Sequence, residues 1–507
     1  MRSFVESPWF RLIFVIPFII AEIVLTYLLL DYTFAQFAWV NTILHIVSII
    51  IVLAIVRLSR HLSSDLIWIL FILIAPIAGT TFYLLASANM ITGRTYRGLV
   101  NEAKIAAKYY EQDESVMKEV EETAHDAAGH FRYLLEDGGF PTYRNADATY
   151  YPLGDYAHAP MLEDLRKAER FIFFEYFIIE EGKMWDPILE ILVQKAEQGV
   201  DVRVLYDDMG SIGTLPARYA GDLEKRGVKC ISFNRLNPII GAIVNHRDHR
   251  KILVIDGKVA YTGGINLADE YINAVVKFGH WKDNAIRVTG KAVWSFTTMF
   301  LTTWNALRHE DDDYRAFYLP SEAEETHGFI APYGETPLDD KNVGQNVYLN
   351  IIDQAHDYCY ITTPYLIIDT EMENALIRAA QRGVDVRIIT PGIPDKHTIF
   401  AITRSYYAPL IKGGVHILAY DPGFVHAKVF VSDDTIATVG TLNLDYRSLY
   451  LHFENGVLMY RTSAVEHVRD DVVETFKKCH EVTTEECTKG VVQEGILSVA
   501  RVFAPLL

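Results

Sequence analysis

Two histidines, His249 and His426, each stand two residues before a lysine, Lys251 or Lys428, and seven before an aspartate, Asp256 or Asp433. The spacing runs on: six residues separate each aspartate from a glycine, Gly263 or Gly440, and Asn266 or Asn443 lies three further on. An extended strand sends residues i and i+2 to one face, so each histidine and its lysine can address one phosphate. A phosphodiester repels nucleophiles and leaves a poor alkoxide. Its cleavage therefore needs a nucleophile, a proton donor and cations against its oxygens, all of which imidazoles and ammonium groups supply. Asn266 and Asn443 lie past a turn, where their amides can donate to phosphate oxygens. Asp256 and Asp433 complete the catalytic set in sequence, although alternation puts them on the opposite face, toward the strand end, where they suit the fold or an ion pair. An isolated histidine or lysine is usually structural or solvated. Two identical constellations 177 positions apart point instead to one duplicated chemistry.

The elements around these motifs are duplicated too. Gly199-Val-Asp-Val-Arg203 reappears as Gly383-Val-Asp-Val-Arg387, each after a helix with legible ends. Asp186 and Pro187 suit an N-cap and first turn and Gly199 the residue past the end; Asp369 or Thr370 through Gly383 repeats this. Strands are predicted before the helices, over 171–179 and 360–368, and after them, over 200–206 and 384–390. Strand-helix-strand units of this kind form sheets covered by helices, so the fold class is α/β with two similar halves, 141–309 and 347–507. Residues 310–346, rich in acid, Pro and Gly, read as a linker with some local structure, and 91–140 as a helical connector.

Residues 1–90 are different in kind. Leu12–Leu30, Phe37–Val56 and Leu66–Ala86 are apolar runs of 19, 20 and 21 residues, each about the length of a transmembrane helix. They predict a multi-pass membrane region and exclude a cleaved signal peptide. Pro76 and Gly79 can kink the third run or make it re-entrant. Arg2, Arg11, Arg57 and Arg60 put the amino terminus in the cytoplasm, but three crossings would then place Arg94, Arg97, Lys104 and Lys108 outside, against the tendency of basic residues to stay inside. Glu22 in the first run needs a polar neighbour or a headgroup.

Composition narrows the partners. The net charge of −18, from 47 basic and 65 acidic residues among 507, excludes a broad basic surface for nucleic acid. The four cysteines, Cys230, Cys359, Cys479 and Cys487, show no pattern of a zinc site or disulfide framework. His246 and His249 lie three apart, but the sequence sets no carboxylate-and-histidine group around them, so no metal is expected.

With both motifs in view, the chain resembles the phospholipase D superfamily, whose members bring two such motifs to one site. Asn245–Ile272, NHRDHRKILVIDGKVAYTGGINLADEYI, and Gly423–Glu454, GFVHAKVFVSDDTIATVGTLNLDYRSLYLHFE, resemble bacterial cardiolipin synthases. So do His280-Trp281-Lys282-Asp283, Thr363-Pro364-Tyr365-Leu366 and the membrane module over Trp68–Ala86. Gly264 and Thr441 depart from the serine that many superfamily relatives carry there. The resemblance implies a shared active site in which His249 attacks phosphorus to give a phosphatidyl-histidine, His426 protonates the departing glycerol, and Lys251 and Lys428 hold phosphate oxygens; the two histidine roles are exchangeable at this stage. It implies phosphatidylglycerol in a bacterial cell membrane as substrate, a second phosphatidylglycerol as acceptor, and no cofactor, and it leaves room for a homo-oligomer. A hydrolytic phospholipase D, or a transferase using another headgroup, would share the motifs. A nuclease fits the acidic chain poorly, and a noncatalytic lipid-binding scaffold could lose either motif, whereas both are complete.

Overall fold

The computed structural model describes residues 24, 38–58, 62–88, 93–234, 246–319, 326–487 and 500–501. The chain divides into two units, one of Met1–Gly93, Leu236–Asn245 and Ser498–Leu507, the other of Arg94–Arg235 and His246–Leu497.

In the first unit the second apolar run forms one helix, Ala38–Leu58, with Ile43, Ile50 and Leu53 exposed along it. The third run is broken into Leu62–Ile74 and Pro76–Ala88, 13 residues each. Pro76 has no N–H to return to the preceding turn, and its ring crowds that turn's carbonyl. The resulting bend is sharp. A Cβ on Gly79 would stand 2.6 Å from the Phe71 carbonyl oxygen and 2.7 Å from Ile72 Cα, whereas a straight helix holds residues seven apart about 10 Å from each other. Each piece is roughly 20 Å long against a hydrocarbon core of roughly 30 Å. Among the described residues no helix is long and apolar enough to cross a membrane. The first run, with Glu22, lies outside the described residues apart from Val24.

The second unit holds two sheets built to one plan. The first orders its seven strands Ala146–Tyr151, Ala285–Gly290, Val259–Gly263, Lys251–Ile255, Phe171–Tyr176, Asp201–Asp207 and Lys229–Phe233. The second runs Phe329–Glu335, Glu454–Tyr460, Ile436–Gly440, Val429–Ser432, Tyr358–Thr362, Asp385–Pro391 and His416–Tyr420, then adds Cys479–Glu481 as an eighth. In each, the first five strands pair antiparallel and the next two parallel, joined by crossover helices such as Trp185–Glu197 and Thr370–Gln381. The motif strands Lys251–Ile255 and Val429–Ser432 sit fourth in their sheets and are buried throughout, as their unbroken apolar runs require.

Two expectations shift. The linker over 310–346 contains Phe329–Glu335, a wholly buried strand that pairs with Glu454–Tyr460 from Phe329↔Tyr460 to Glu335↔Glu454. It is the counterpart of Ala146–Tyr151, and its Pro332 is tolerated because the strand lies at the sheet edge. The helix beginning at Val343 also starts inside that linker. Of the two helix caps, Asp369 accepts from the Met372 N–H at 2.8 Å as expected, but Asp186 lies inside its helix, which starts at Trp185, and its carboxylate takes the Gly182 N–H instead. Gly199 and Gly383 end their helices in the left-handed region, at φ +90° and +98°. The connector is helical, with Gly93–Ala106, Glu114–Thr123 and Ala128–Tyr133.

Candidate active site

Each motif enters the site beside the other half. The short strand Gly423–Val425, leading to His426, pairs in parallel with His280–Lys282 of the first half. Asp248, just before His249, bridges Phe453 of the second. Main-chain bonds finish the exchange: the His249 N–H donates to the Phe453 carbonyl at 2.9 Å and the His426 N–H to the Lys282 carbonyl at 2.7 Å.

The residue after each of those carbonyls is an acid. His249 Nδ1 lies 2.8 Å from Glu454 Oε2 and 2.9 Å from Oε1, while His426 Nδ1 lies 2.7 Å from Asp283 Oδ2. Each catalytic-motif histidine is therefore braced by a carboxylate of the opposite half. A carboxylate facing Nδ1 fixes the proton there and leaves Nε2 as the reactive lone pair. Asp283 and Glu454 are equivalent in the sheets, each two residues before a paired position, Gly263↔Ala285 or Gly440↔Gly456.

Burial dominates the electrostatics. It drives His249 well below the ordinary imidazole range, helped by the charges of Lys251, Lys428 and His426, and pushes His426 down to about 4, with Lys428 adding to it. The two histidines thus share one electrostatic site. Burial also lowers Lys251 to about 7 and Lys428 to about 8. Asp283 runs the other way: burial pushes it up, but His426 and Lys428 outweigh that and hold it below the usual carboxylate range. Without an anion the site sheds protons, and a phosphodiester would restore them. Lys251 Nζ donates to the His249 carbonyl at 2.6 Å, and Lys428 makes the same bond to His426.

The other sequence candidates divide. Asp256 accepts the N–H groups of Glu169, Arg170 and Phe171 at 2.8–2.9 Å. Asp433 accepts those of His356, Asp357 and Tyr358 at 2.8–3.0 Å. Both lie past the far end of the motif strand, on the order of 20 Å from their histidines by strand rise. They fasten the neighbouring strand and do not reach the reacting groups, so their place in the catalytic set is corrected to a structural one. Asn266 spends its amide on Tyr271 Oη at 2.7 Å and the Ile178 N–H at 3.1 Å. Asn443 is buried, with Oδ1 unpartnered, which leaves room for a donor and not for a phosphate oxygen. The serine-position departures also have reasons. Thr441 Oγ1 donates to Glu454, and a Cβ on Gly264 would stand 2.0 Å from Asp283 Oδ1. The space for a side chain there is taken by the brace.

Sequence spacing did not single out Asp283 and Glu454, because they follow their glycines by 20 and 14 residues, unlike the rest of the duplicated pattern. It also missed that His249, His452 and Glu454 present three ligand atoms within 4.8 Å of one another, a carboxylate-and-histidine set assembled across 205 positions. His246 is not part of it, since its Nδ1 faces the Leu451 carbonyl at 2.9 Å.

Comparison with known proteins agrees with this geometry. Residues 161–292 and 348–475 match a family described as cardiolipin synthase, phospholipase D-like domain, once in each half. An uncharacterized protein of Streptococcus mutans is 46% identical, covering 90% of this chain and 99% of its own length. A cardiolipin synthase of Alkalihalophilus pseudofirmus is 32% identical, covering 89% and 90%. The crystal structure of phosphatidylserine synthase from Haemophilus influenzae shares the fold, with a TM-score of 0.56 at 16% identity over 72% of this chain and 95% of that one. The chain belongs to the cardiolipin synthase family of the phospholipase D superfamily and is an enzyme of its phosphatidyltransferase type.

Proposed function

We propose that the enzyme transfers the phosphatidyl group of one phosphatidylglycerol to another, releasing glycerol and forming cardiolipin through a phosphohistidine on His249. The observation that carries this reading is the pair of cross-braced histidines in one buried site, each with Nδ1 held by a carboxylate of the opposite half. His249 Nε2 forms the bond to phosphorus as the bond to the glycerol oxygen breaks, and His426 gives that oxygen its proton. His426 is neutral in the empty pocket, so its proton arrives with the substrate, whose negative charge favours the imidazolium. In the second half His426 takes the proton of the acceptor hydroxyl, and the new P–O bond displaces His249. Lys251 and Lys428 hold the phosphate oxygens, with charge-assisted bonds worth about 1.5–3 kcal/mol each. Purified protein given phosphatidylglycerol should yield cardiolipin and glycerol in equal amounts without ATP, CTP or added metal. Phosphatidic acid as the main product would replace transfer by hydrolysis.

The same reading places the enzyme at a bacterial cell membrane, anchored by the apolar runs before residue 90. The exposed aliphatic side chains of Ala38–Leu58 support it, as does an acidic chain whose partner is a lipid and not nucleic acid. A third run that bends back at Pro76 would return the chain to the side it left. Arg57, Arg60, Arg94 and Arg97 then share the cytoplasmic side, which removes the charge conflict. A cysteine introduced at Arg97 should react with an impermeant maleimide only after cells are opened; labelling of intact cells would reverse the topology.

A further inference from the structure

The phosphoryl chemistry leaves one imidazole beside His249 unused. His452 is 8% exposed, and neither of its ring nitrogens makes a hydrogen bond. Its Nδ1 stands 3.8 Å from Glu454 Oε1, and its ring lies 5.8 Å from that of His249. A buried polar atom without a partner is costly, and in native proteins such atoms are generally matched by water, a ligand or an ion. The donor set around it suits an ion. Two imidazoles and a carboxylate are the ligands of open three-residue zinc sites, and imidazole favours zinc over magnesium or calcium. Ligand atoms about 2.0–2.1 Å from a tetrahedral ion lie about 3.3 Å apart. The separations from one carboxylate oxygen, Glu454 Oε1, are 2.9 Å to His249 Nδ1 and 3.8 Å to His452 Nδ1, on either side of that value.

We propose that His249, His452 and Glu454 form an inhibitory site for a divalent cation of the zinc class. The inhibition rests on the reading of His249 as the nucleophile; the binding does not. A cation on His249 Nδ1 takes the lone pair that the Nδ1 proton held, so the neutral ring carries its proton on Nε2. Nε2 then has no electrons for phosphorus, and Glu454 is engaged by the ion. The ammonium groups of Lys251 and Lys428 oppose a dication, which makes the site reversible and weaker than a structural zinc centre. Among the described residues the second motif has no such group, because the residue two before its brace is Trp281, whose ring lies 5.7 Å from that of His426 and offers no ligand.

The test uses the full chain in detergent, stripped of metal with a chelator. Equilibrium dialysis should find one zinc per chain, cobalt should give the absorption of a tetrahedral site, and turnover of phosphatidylglycerol should fall as zinc binds and return with chelator. His452→Asn, which keeps a polar side chain of similar size, should weaken zinc binding by more than about tenfold, the least that loss even of an outer-sphere partner costs. His480→Ala, at an exposed imidazole beside Asp421 and Glu486, should leave zinc binding unchanged. Absence of stoichiometric zinc, or equal binding by His452→Asn, overturns the proposal. Dialysis and cobalt absorption need no turnover. His452-dependent binding by a chain that makes no cardiolipin would therefore refute only the functional reading, and cardiolipin synthesis without zinc binding would refute only this inference.

Discussion

The two halves share seven strands in one order, yet the rings laid over their histidines differ. His426 lies among Trp281, Tyr271 and Phe424, at 5.7, 5.4 and 6.0 Å between ring centres. His249 lies against Phe177 at 4.9 Å and against His452, with its unpartnered nitrogens. The braces differ as well, a short aspartate for His426 and a longer glutamate for His249, the latter also held by Thr441. Duplication thus supplied the scaffold twice, and local substitutions made its two histidines unequal. An aromatic enclosure suits a group that must hold a proton only briefly, whereas a second acid-linked imidazole beside His249 suits control of the nucleophile.

The sharpest way to break this comparison is to neutralise each brace. Glu454→Gln and Asp283→Asn should each lower turnover of phosphatidylglycerol by about 10³–10⁴-fold, the scale on which a carboxylate-imidazole pair acts when its tautomer is lost. With a donor carrying a good leaving group, which needs little protonation, Asp283→Asn and His426→Ala should recover covalent labelling in a rapid-quench assay, while Glu454→Gln and His249→Ala should not. Recovery in the opposite pair would exchange the two histidine roles. Next in size is Gly264→Ala. Its methyl would stand 2.0 Å from Asp283 Oδ1, so it should mimic Asp283→Asn in the same assay. Thr441→Ser, which keeps the hydroxyl on Glu454, should change the rate by only a few-fold.

Lys428 tests the electrostatics of the second half through stability. Burial holds its folded-state value at about 8, below its ordinary value of 10.5. Between those values the unfolded chain binds more protons, so stability should rise with pH from about 8 to about 10.5 and level off beyond. The shift is worth on the order of 3 kcal/mol, part of it offset in Lys428→Met by the lost bond to the His426 carbonyl. Melting temperatures of the variant should show a smaller alkaline rise than the parent, the remainder coming from Lys251, which burial lowers to about 7, and its activity should be lost. An unchanged alkaline rise would show that Lys428 is not the titrating group. For turnover, kcat/KM should fall as pH rises through about 7 and then about 8, as the Lys251 and Lys428 ammonium groups that meet the phosphate are neutralised.

Much of this was legible before the structure because it is written in local periodicity. The motif strands are unbroken apolar runs, and the repeated Gly-Val-Asp-Val-Arg segments mark strands that occupy the same place in each sheet. Asp256 and Asp433 already fell on the wrong face for catalysis, and their three N–H bonds apiece explain why they are fixed in position all the same. What was not legible is what arises between halves. Glu454 meets His249 across 205 positions and Asp283 meets His426 across 143, at spacings that differ between the copies. Phe329–Glu335 was hidden by its Pro and Gly, which an edge strand accommodates but a reading of turns does not. The bend at Pro76 was foreseen as a kink, but its sharpness depends on the close approach at Gly79.

The smallest expected difference between the halves is at the crossover helices, where similar sequence was expected to do the same work. Asp369 precedes its helix with extended backbone and accepts the Met372 N–H through Oδ1, while Oδ2 takes Tyr450 Oη at 2.8 Å and Gln345 Nε2 at 3.1 Å. Asp186 sits one residue inside its helix, and its carboxylate takes the Gly182 N–H at 3.1 Å on the protein surface. Replacing an N-cap by Ala costs about 1 kcal/mol, and Asp369→Ala also strands two donors in a half-buried position, so about 2 kcal/mol is expected in total. Asp186→Ala should stay within about 0.5 kcal/mol of the parent, as surface changes usually do. Chemical denaturation of both variants under one detergent condition reads the difference as a shift in midpoint. Asp369→Asn sharpens the assignment, because an amide oxygen still caps Met372. If it matches Asp369→Ala, the stability comes from the charge that Tyr450 and Gln345 share; if it recovers half or more of the loss, the cap is the larger part.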